Sequence, residues 1–293
     1  MKAIIFGASG QDGYYLSQLL AQKNVEVIGV DRHSDQWING DISDPGFVDN
    51  LIRENKPEYI FHFAAISSTK HSVLFKNHEA IVMGTLNILE SVNKYCPQCK
   101  VFLSGSALQF KNTSLPIDEN TPFEASSAYA LARIESVYAG RYYRDVYGTK
   151  VYIGYFFNHE SPLRSQQFVS QQIISATKRL AAGDDASLEL GNMGVKKEFN
   201  FAGDIMEAVW LLVNQDLVSE VVIGSGQSYS IKDWVEYCFR KAHLNWEDYV
   251  VEKPGFVPEY KILMSNPKLI KSLGWKPKVD FYALADLMMD DKQ

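Results

Sequence analysis

Cysteine is scarce in this 293-residue chain. Cys96, Cys99 and Cys238 are the only three, too few to staple a chain of this length into a disulfide scaffold. Cys96-Pro97-Gln98-Cys99 has the CxxC spacing, but no second ligand pair follows it, so no metal site is expected. It also lies between a helix end and a strand, the reverse of a thioredoxin-type pair, and reads as two reduced thiols. Positive charge is not in excess. Twenty-nine Lys and Arg against 35 Asp and Glu leave a net charge of −6, which gives no electrostatic footprint for nucleic acid or an anionic membrane. Long apolar runs are missing too. Ala3-Ile4-Ile5-Phe6 stops at Gly7, too short for a signal-peptide core or a membrane span. No repeat, low-complexity tract or Pro/Ser-rich linker is present. A soluble, cytoplasmic protein with tightly packed lobes is expected.

What remains is an ordinary globular composition, 46% hydrophobic and 22% charged. The first half alternates short apolar runs with helical patterns. Lys2–Phe6, Val25–Val30, Tyr59–Phe63, Val101–Leu103 and Val151–Phe157 read as strands. Tyr14–Lys23, Asp44–Asn55, Glu79–Asn93 and Ser127–Tyr147 read as helices between them. This rhythm means βαβ crossovers and an α/β fold with a Rossmann-type, doubly wound parallel sheet. After Asn158 the rhythm changes to helices at Phe168–Leu180, Ile205–Val213 and Ile231–Lys241 with short strands between. We expect a dinucleotide-binding domain over residues 1–157, with 201–224 returning to it, and a smaller C-terminal α/β substrate lobe formed mainly by 158–293. The ligand belongs in the crevice between them.

Gly7-Ala8-Ser9-Gly10-Gln11-Asp12-Gly13 follows the first strand and opens a helix. Glycines allow the tight turn and let backbone approach a pyrophosphate, which the helix N-terminus then holds. Asp31, at the end of the second strand, lies 18 residues beyond Gly13. An acid there accepts hydrogen bonds from ribose hydroxyls and repels a 2′-phosphate, so NAD(H) is favoured. Arg32 beside it is able to clamp such a phosphate and leaves NADP(H) open.

Tyr129 and Arg133 stand at i and i+4 on one helix face. A fixed cation beside a phenol favours its ionised form and so its use as a general acid or base. Ser106 follows the strand at Val101–Leu103 and points into the same crevice.

With these residues the chain resembles the extended short-chain dehydrogenase/reductase family, which carries Ser/Thr, Tyr and Lys at such positions. Within it, the sequence is similar to the GDP-mannose 4,6-dehydratases over nearly its whole length. Phe157-Asn158-His159-Glu160-Ser161-Pro162 is the most specific stretch, supported by Arg164, Phe168-Val169, Leu190-Gly191-Asn192, Asp204 with Glu207-Ala208, and Gly274-Trp275-Lys276-Pro277. The resemblance implies that Asn158, Arg164 and Val169 face a nucleotide-diphosphate sugar, a GDP-sugar being favoured. It also puts Asp41 and Ile42 at the cofactor's adenine and Ala64 and Ala65 along the dinucleotide cleft. A homodimer through the helices around Glu79–Asn93 and Ser127–Tyr147 is implied as well.

Three departures bear on the reaction. The family Lys is Arg133, which keeps the charge with a different geometry. The dehydratase Glu, two residues beyond the catalytic Ser/Thr, aligns with Leu108, and Leu transfers no proton. The family's Arg beside the substrate diphosphate reads Lys197, which has no bidentate fork, and a second Arg before a Pro reads Val257-Pro258. The leading expectation is therefore an NAD(P)-dependent 4-keto sugar reductase or epimerase, with Ser106, Tyr129 and Arg133 catalytic. The alternatives are a GDP-mannose 4,6-dehydratase-type lyase and a cofactor-binding pseudoenzyme with a structural or regulatory role.

Overall fold

Side chains alternate along the first strand, Ile4 and Phe6 entering one core and Ala3 and Ile5 another. That double burial is the mark of a central parallel strand covered by helices on both faces. The structure, a computed structural model, describes residues 1–185 and 187–290. Its strands are β1 (Lys2–Phe6), β2 (Glu26–Asp31), β3 (Ile38–Asn39), β4 (Tyr59–His62), β5 (Lys100–Ser106), β6 (Lys150–Phe156), β7 (His159–Glu160), β8 (Leu188–Leu190), β9 (Lys196–Glu198), β10 (Asn200–Phe201), β11 (Glu220–Ile223), β12 (Ser228–Ser230), β13 (Val250–Glu252) and β14 (Ile262–Leu263). Its helices are α1 (Gln11–Gln22), α2 (Pro45–Asn55), α3 (Leu74–Asn77), α4 (Gly84–Tyr95), α5 (Ala128–Tyr147), α6 (Val169–Ala181), α7 (Ala202–Val213), α8 (Ile231–Lys241), α9 (Lys268–Ser272) and α10 (Phe281–Met289). A π-helical segment, His78–Met83, joins α3 to α4.

Seven strands form the central sheet in the order β11-β6-β5-β4-β1-β2-β3, every pairing parallel. Helices α2, α4 and α5 cover one face, burying Val48, Ile52, Ile88, Leu89 and Val137. Helices α1 and α7 cover the other with Leu16, Leu20, Ile205 and Leu212. Strand order reverses at β1/β4, so a crevice opens beyond their carboxyl ends. The second lobe packs α6, α8 and α10 around Trp234, whose ring stacks on Phe199 at 4.7 Å between centroids.

Local signals set the helix starts. Asp44 caps α2 by accepting from the N–H groups of Gly46 and Phe47, with Pro45 at the first helical position. Ser127 caps α5 through the Ala130 N–H, so Tyr129 falls in the first turn, and Gly148, at φ +70°, ends the helix. Several boundaries differ from the sequence reading, α7 starting already at Ala202 and α4 only at Gly84. Helix α1 begins at Gln11, and β5 runs on to Ser106. Strand β11 completes the sheet from the second half of the chain.

Candidate active site

The first cleft is built on the β1–α1 turn. Gly7 has φ +87°, and a Cβ there would stand 2.8 Å from the Ala64 nitrogen. A Cβ on Gly13 would meet the Gly7 carbonyl oxygen at 2.4 Å. Both positions therefore require glycine for the chain to make this turn against the end of β4. Gly7, Gly10, Gln11, Asp12, Gly13, Asp31, Arg32, Asp41, Ile42, Ala64 and Ala65 all line this cleft. Ser9 does not, and its N–H donates to the Asp31 carboxylate at 3.3 Å. Burial works to raise the Asp41 carboxyl, but the N–H and hydroxyl of Ser43, at 2.9 and 2.8 Å, hold it below its usual range. The residues present fit a dinucleotide: a glycine turn at a helix N-terminus, an acid at the end of β2 and a basic neighbour.

The second cleft continues from the first, and Asp12, Phe63, Ser67 and Arg164 line both. Ser104 and Ser106 stand two apart at the end of β5 and therefore share a face. Arg133, 4% exposed, donates from Nε to the Tyr129 hydroxyl oxygen at 3.1 Å and from Nη1 to the Ser104 Oγ at 2.8 Å and its backbone carbonyl. The Ser104 hydroxyl in turn donates to the His62 carbonyl at 2.8 Å. Ser106 Oγ accepts from the Leu108 N–H at 3.2 Å, which leaves its O–H free to donate into the cleft. Gln109 holds the Ser106 N–H at 2.8 Å.

The β6 end and the α1 start are tied together by charge. His159 faces the Phe157 carbonyl with Nδ1 and the Asp12 carboxylate with Nε2, each at 2.9 Å. Two acceptors call for two ring protons, so the imidazolium is the form that fits. Burial opposes that charge, but Asp12 outweighs it and raises His159 above its usual range. Ser161 donates to Gln11 Oε1 at 2.7 Å across the same seam. Glu160, fully buried, is paired with Arg164 at 3.0 Å and Lys197 at 3.2 Å, which keep it below the usual carboxylate range in spite of burial.

Leu108, Asn158 and Arg164 line the second cleft with Ser106, Tyr129 and Arg133. Lys197 does not: its ammonium is spent on Glu160, away from either cleft. Val169 packs on the lobe core, and its neighbour Phe168 is the cleft residue, with the Arg164 guanidinium over its ring. Lys70 and Gln167 also reach the cleft and carry no sequence motif. Ser104 had a signal, the period-two spacing with Ser106. The Gly224-Ser225-Gly226 turn faces inward, giving its Ser225 and Gly226 N–H groups to the buried Glu198 carboxylate.

Of the carboxylates, only Asp12 lines the second cleft among the described residues, and His159 holds it. Glu124 is exposed and outside the cleft, and Glu160 is buried and doubly paired.

A parallel seven-stranded sheet, a glycine turn on its first crossover and a Ser-Tyr-Arg constellation beside it define an enzyme of the extended short-chain dehydrogenase/reductase type. Solved structures agree on the fold. A UDP-glucose 4-epimerase with UDP-glucose from Thermotoga maritima superposes with a TM-score of 0.89 at 20% identity, over 99% of this chain and 97% of that one. RMD from Pseudomonas aeruginosa, complexed with NADPH, gives a TM-score of 0.87 at 19% identity, covering 98% of this chain and 97% of that one. A GDP-mannose 4,6-dehydratase family model matches residues 4–288. GDP-mannose 4,6 dehydratase 1 of Arabidopsis thaliana is 32% identical over 99% of this chain and 89% of its own length. The human GDP-mannose 4,6 dehydratase is 31% identical over 81% of this chain and 71% of its own length. The chain belongs to the GDP-mannose 4,6-dehydratase family. No helix among the described residues is long and apolar enough to cross a membrane.

Proposed function

We propose that this protein exchanges a hydride at C4 of a nucleotide-diphosphate sugar, as a 4-keto sugar reductase or an epimerase, without the 4,6-elimination its relatives are named for. The observation that carries this reading is Leu108, which lines the second cleft together with Ser106 and Tyr129, while among the described residues no unpaired carboxylate shares that lining. Elimination across C5–C6 needs a group that moves a proton, and Leu108 moves none.

A nicotinamide dinucleotide would be held by the Gly7–Gly13 turn, Asp31, Asp41, Ile42, Ala64 and Ala65, and when bound it supplies the hydride chemistry. Asp31 supports NAD(H), and Arg32 keeps NADP(H) in reach. In this reading Tyr129, which lines the second cleft, gives or takes the proton on the C4 oxygen. Arg133 donates from its Nε to the Tyr129 oxygen and orients it, and Ser104 fixes the guanidinium. Ser106 donates its free hydroxyl proton to the same sugar oxygen. Arg164 and Lys70 give the cleft positive charge for a diphosphate. The names of the relatives support guanine as the base.

The exposed face of α5, with Tyr138, Tyr142, Val146 and Tyr147, beside Phe75 and Met83, supports a homodimer through this helix layer.

The test is a pair of variants. Leu108→Glu should gain loss of water from GDP-mannose in the presence of oxidised cofactor, while the wild type shows little or none. Tyr129→Phe should lose turnover of every sugar nucleotide. Rapid dehydration by the wild type would favour the lyase reading that the relatives carry. Absence of turnover on any sugar nucleotide, in every variant, would favour a pseudoenzyme.

A further inference from the structure

We propose that Cys96 and Cys99 are a reversible dithiol–disulfide site, independent of the reaction in the clefts. Cys96 caps the end of α4 and Cys99 immediately precedes β5. The Cys99 N–H donates to the Cys96 carbonyl at 2.8 Å, which closes a four-residue turn with Pro97 in the position where its fixed φ is favoured. The first and fourth Cα atoms of such a turn lie within ~7 Å, and a disulfide spans about 4.4–6.8 Å between Cα atoms. The Cys99 thiol donates to the Lys100 carbonyl at 3.9 Å, and each of the two thiols shifts the ionisation of the other. Cys96 is partly open to solvent, whereas Cys99 is 2% exposed and sits in the hydrophobic core with Val101 and Ile52.

The two thiols are chemically unequal. Contact with the Cys99 side chain, aided by the Lys56 charge, draws the Cys96 thiol down against burial. The same contact together with burial pushes Cys99 well up. The thiolate is the nucleophile, so Cys96 is the residue that meets an oxidant and Cys99 is the one that resolves it.

With a peroxide the step balances as follows. The Cys96 thiolate attacks one peroxide oxygen, the O–O bond breaks, and a sulfenic acid and water form. The Cys99 sulfur then displaces the sulfenic oxygen, which leaves as water, and the S–S bond forms. Two thiols are oxidised and one peroxide is reduced to two waters. Cys238, fully buried on α8 with its thiol pushed up by burial, is the internal control.

The experiment treats the full-length protein with hydrogen peroxide and reads intact mass and peptide maps. The expected result is loss of two hydrogens, a peptide cross-linked through Cys96 and Cys99, a free Cys238 thiol, and full return with a dithiol reductant. Cys99→Ser should accumulate an oxygen adduct on Cys96, and Cys96→Ser should react at least about tenfold more slowly at Cys99. Oxygen adducts on Cys96 in the wild type with Cys99 left as a thiol would overturn the proposal. So would equal reactivity of Cys96 and Cys238, or no reaction at the pair.

Discussion

Replacing Arg133 by Met tests the catalytic constellation because it keeps the length and apolar stem while removing the charge and the donors. The guanidinium is buried at 4% exposure and makes three hydrogen bonds, to the Tyr129 hydroxyl at 3.1 Å, the Ser104 hydroxyl at 2.8 Å and the Ser104 carbonyl. Under the proposed function only the first bears on the reaction, because it holds the Tyr129 oxygen that exchanges the proton. A hydrogen bond from a charged group contributes about 1.5–3 kcal/mol. Its loss should therefore lower kcat by roughly 10- to 150-fold. The other two bonds hold the end of β5, and leaving the Ser104 groups unpaired should cost about 1–3 kcal/mol of stability. Arg133→Lys should fall between wild type and Met, since an ammonium keeps the charge but lacks the planar fork that reaches Tyr129 and Ser104 together. The assay follows loss of reduced-nicotinamide absorbance on a 4-keto nucleotide sugar, alongside a urea melt. Wild-type kcat in a folded Arg133→Met protein would refute the role given to this contact.

Gly13→Ala should fold but weaken dinucleotide binding by at least roughly tenfold, read by fluorescence titration, because its Cβ would meet backbone atoms of Gly7 and Ala8 at 2.4 and 2.6 Å and shift the turn. Glu198→Gln should lower urea stability by several kcal/mol, since the buried carboxylate accepts from Ser225, Gly226, Ser265 and Asn200 at about 1.5–3 kcal/mol for each charged bond. Burial works to raise Glu220, but Arg141, Tyr155 and Arg144 bring it from 4.5 to about 2. Its depressed folded value means stability that is present above about pH 4.5 and lost as pH falls toward 2, on the order of 3 kcal/mol. Glu220→Gln should flatten that acid limb of the stability curve.

Much of the sheet was readable because each strand is a short apolar run closed by a turn or a helix pattern. Strand β11 was harder, since Glu220-Val221-Val222-Ile223 is as short as the strands of the second lobe and its pairing with β6 crosses about seventy residues of chain. The glycine turn, Asp31 and the Tyr129–Arg133 pair carry local spacing and could be read directly. The partner of Lys197 could not. Glu160 lies 37 residues away, and no periodicity links a lysine on β9 to a glutamate on β7. The lysine looked available for phosphate, yet a fully buried carboxylate needs cations or hydrogen-bond donors beside it, and Glu160 takes Lys197. Glu198 hides for a similar reason, since besides Asn200 its donors come from the distant Ser225–Gly226 and Ser265 turns. Ser106 was placed beyond the strand because Ser-Gly-Ser lacks apolar residues, although the ladder with β6 continues through Ser106 opposite Phe156.

The most direct measurement of the central claim is the product mass from wild-type protein given a 4-keto GDP-sugar with NADH or NADPH, and GDP-mannose with the oxidised cofactors. The account predicts a gain of two hydrogens on the keto sugar, or C4 inversion at unchanged mass by NMR, and intact GDP-mannose. Prompt loss of water from GDP-mannose, with the keto sugar untouched, would contradict it.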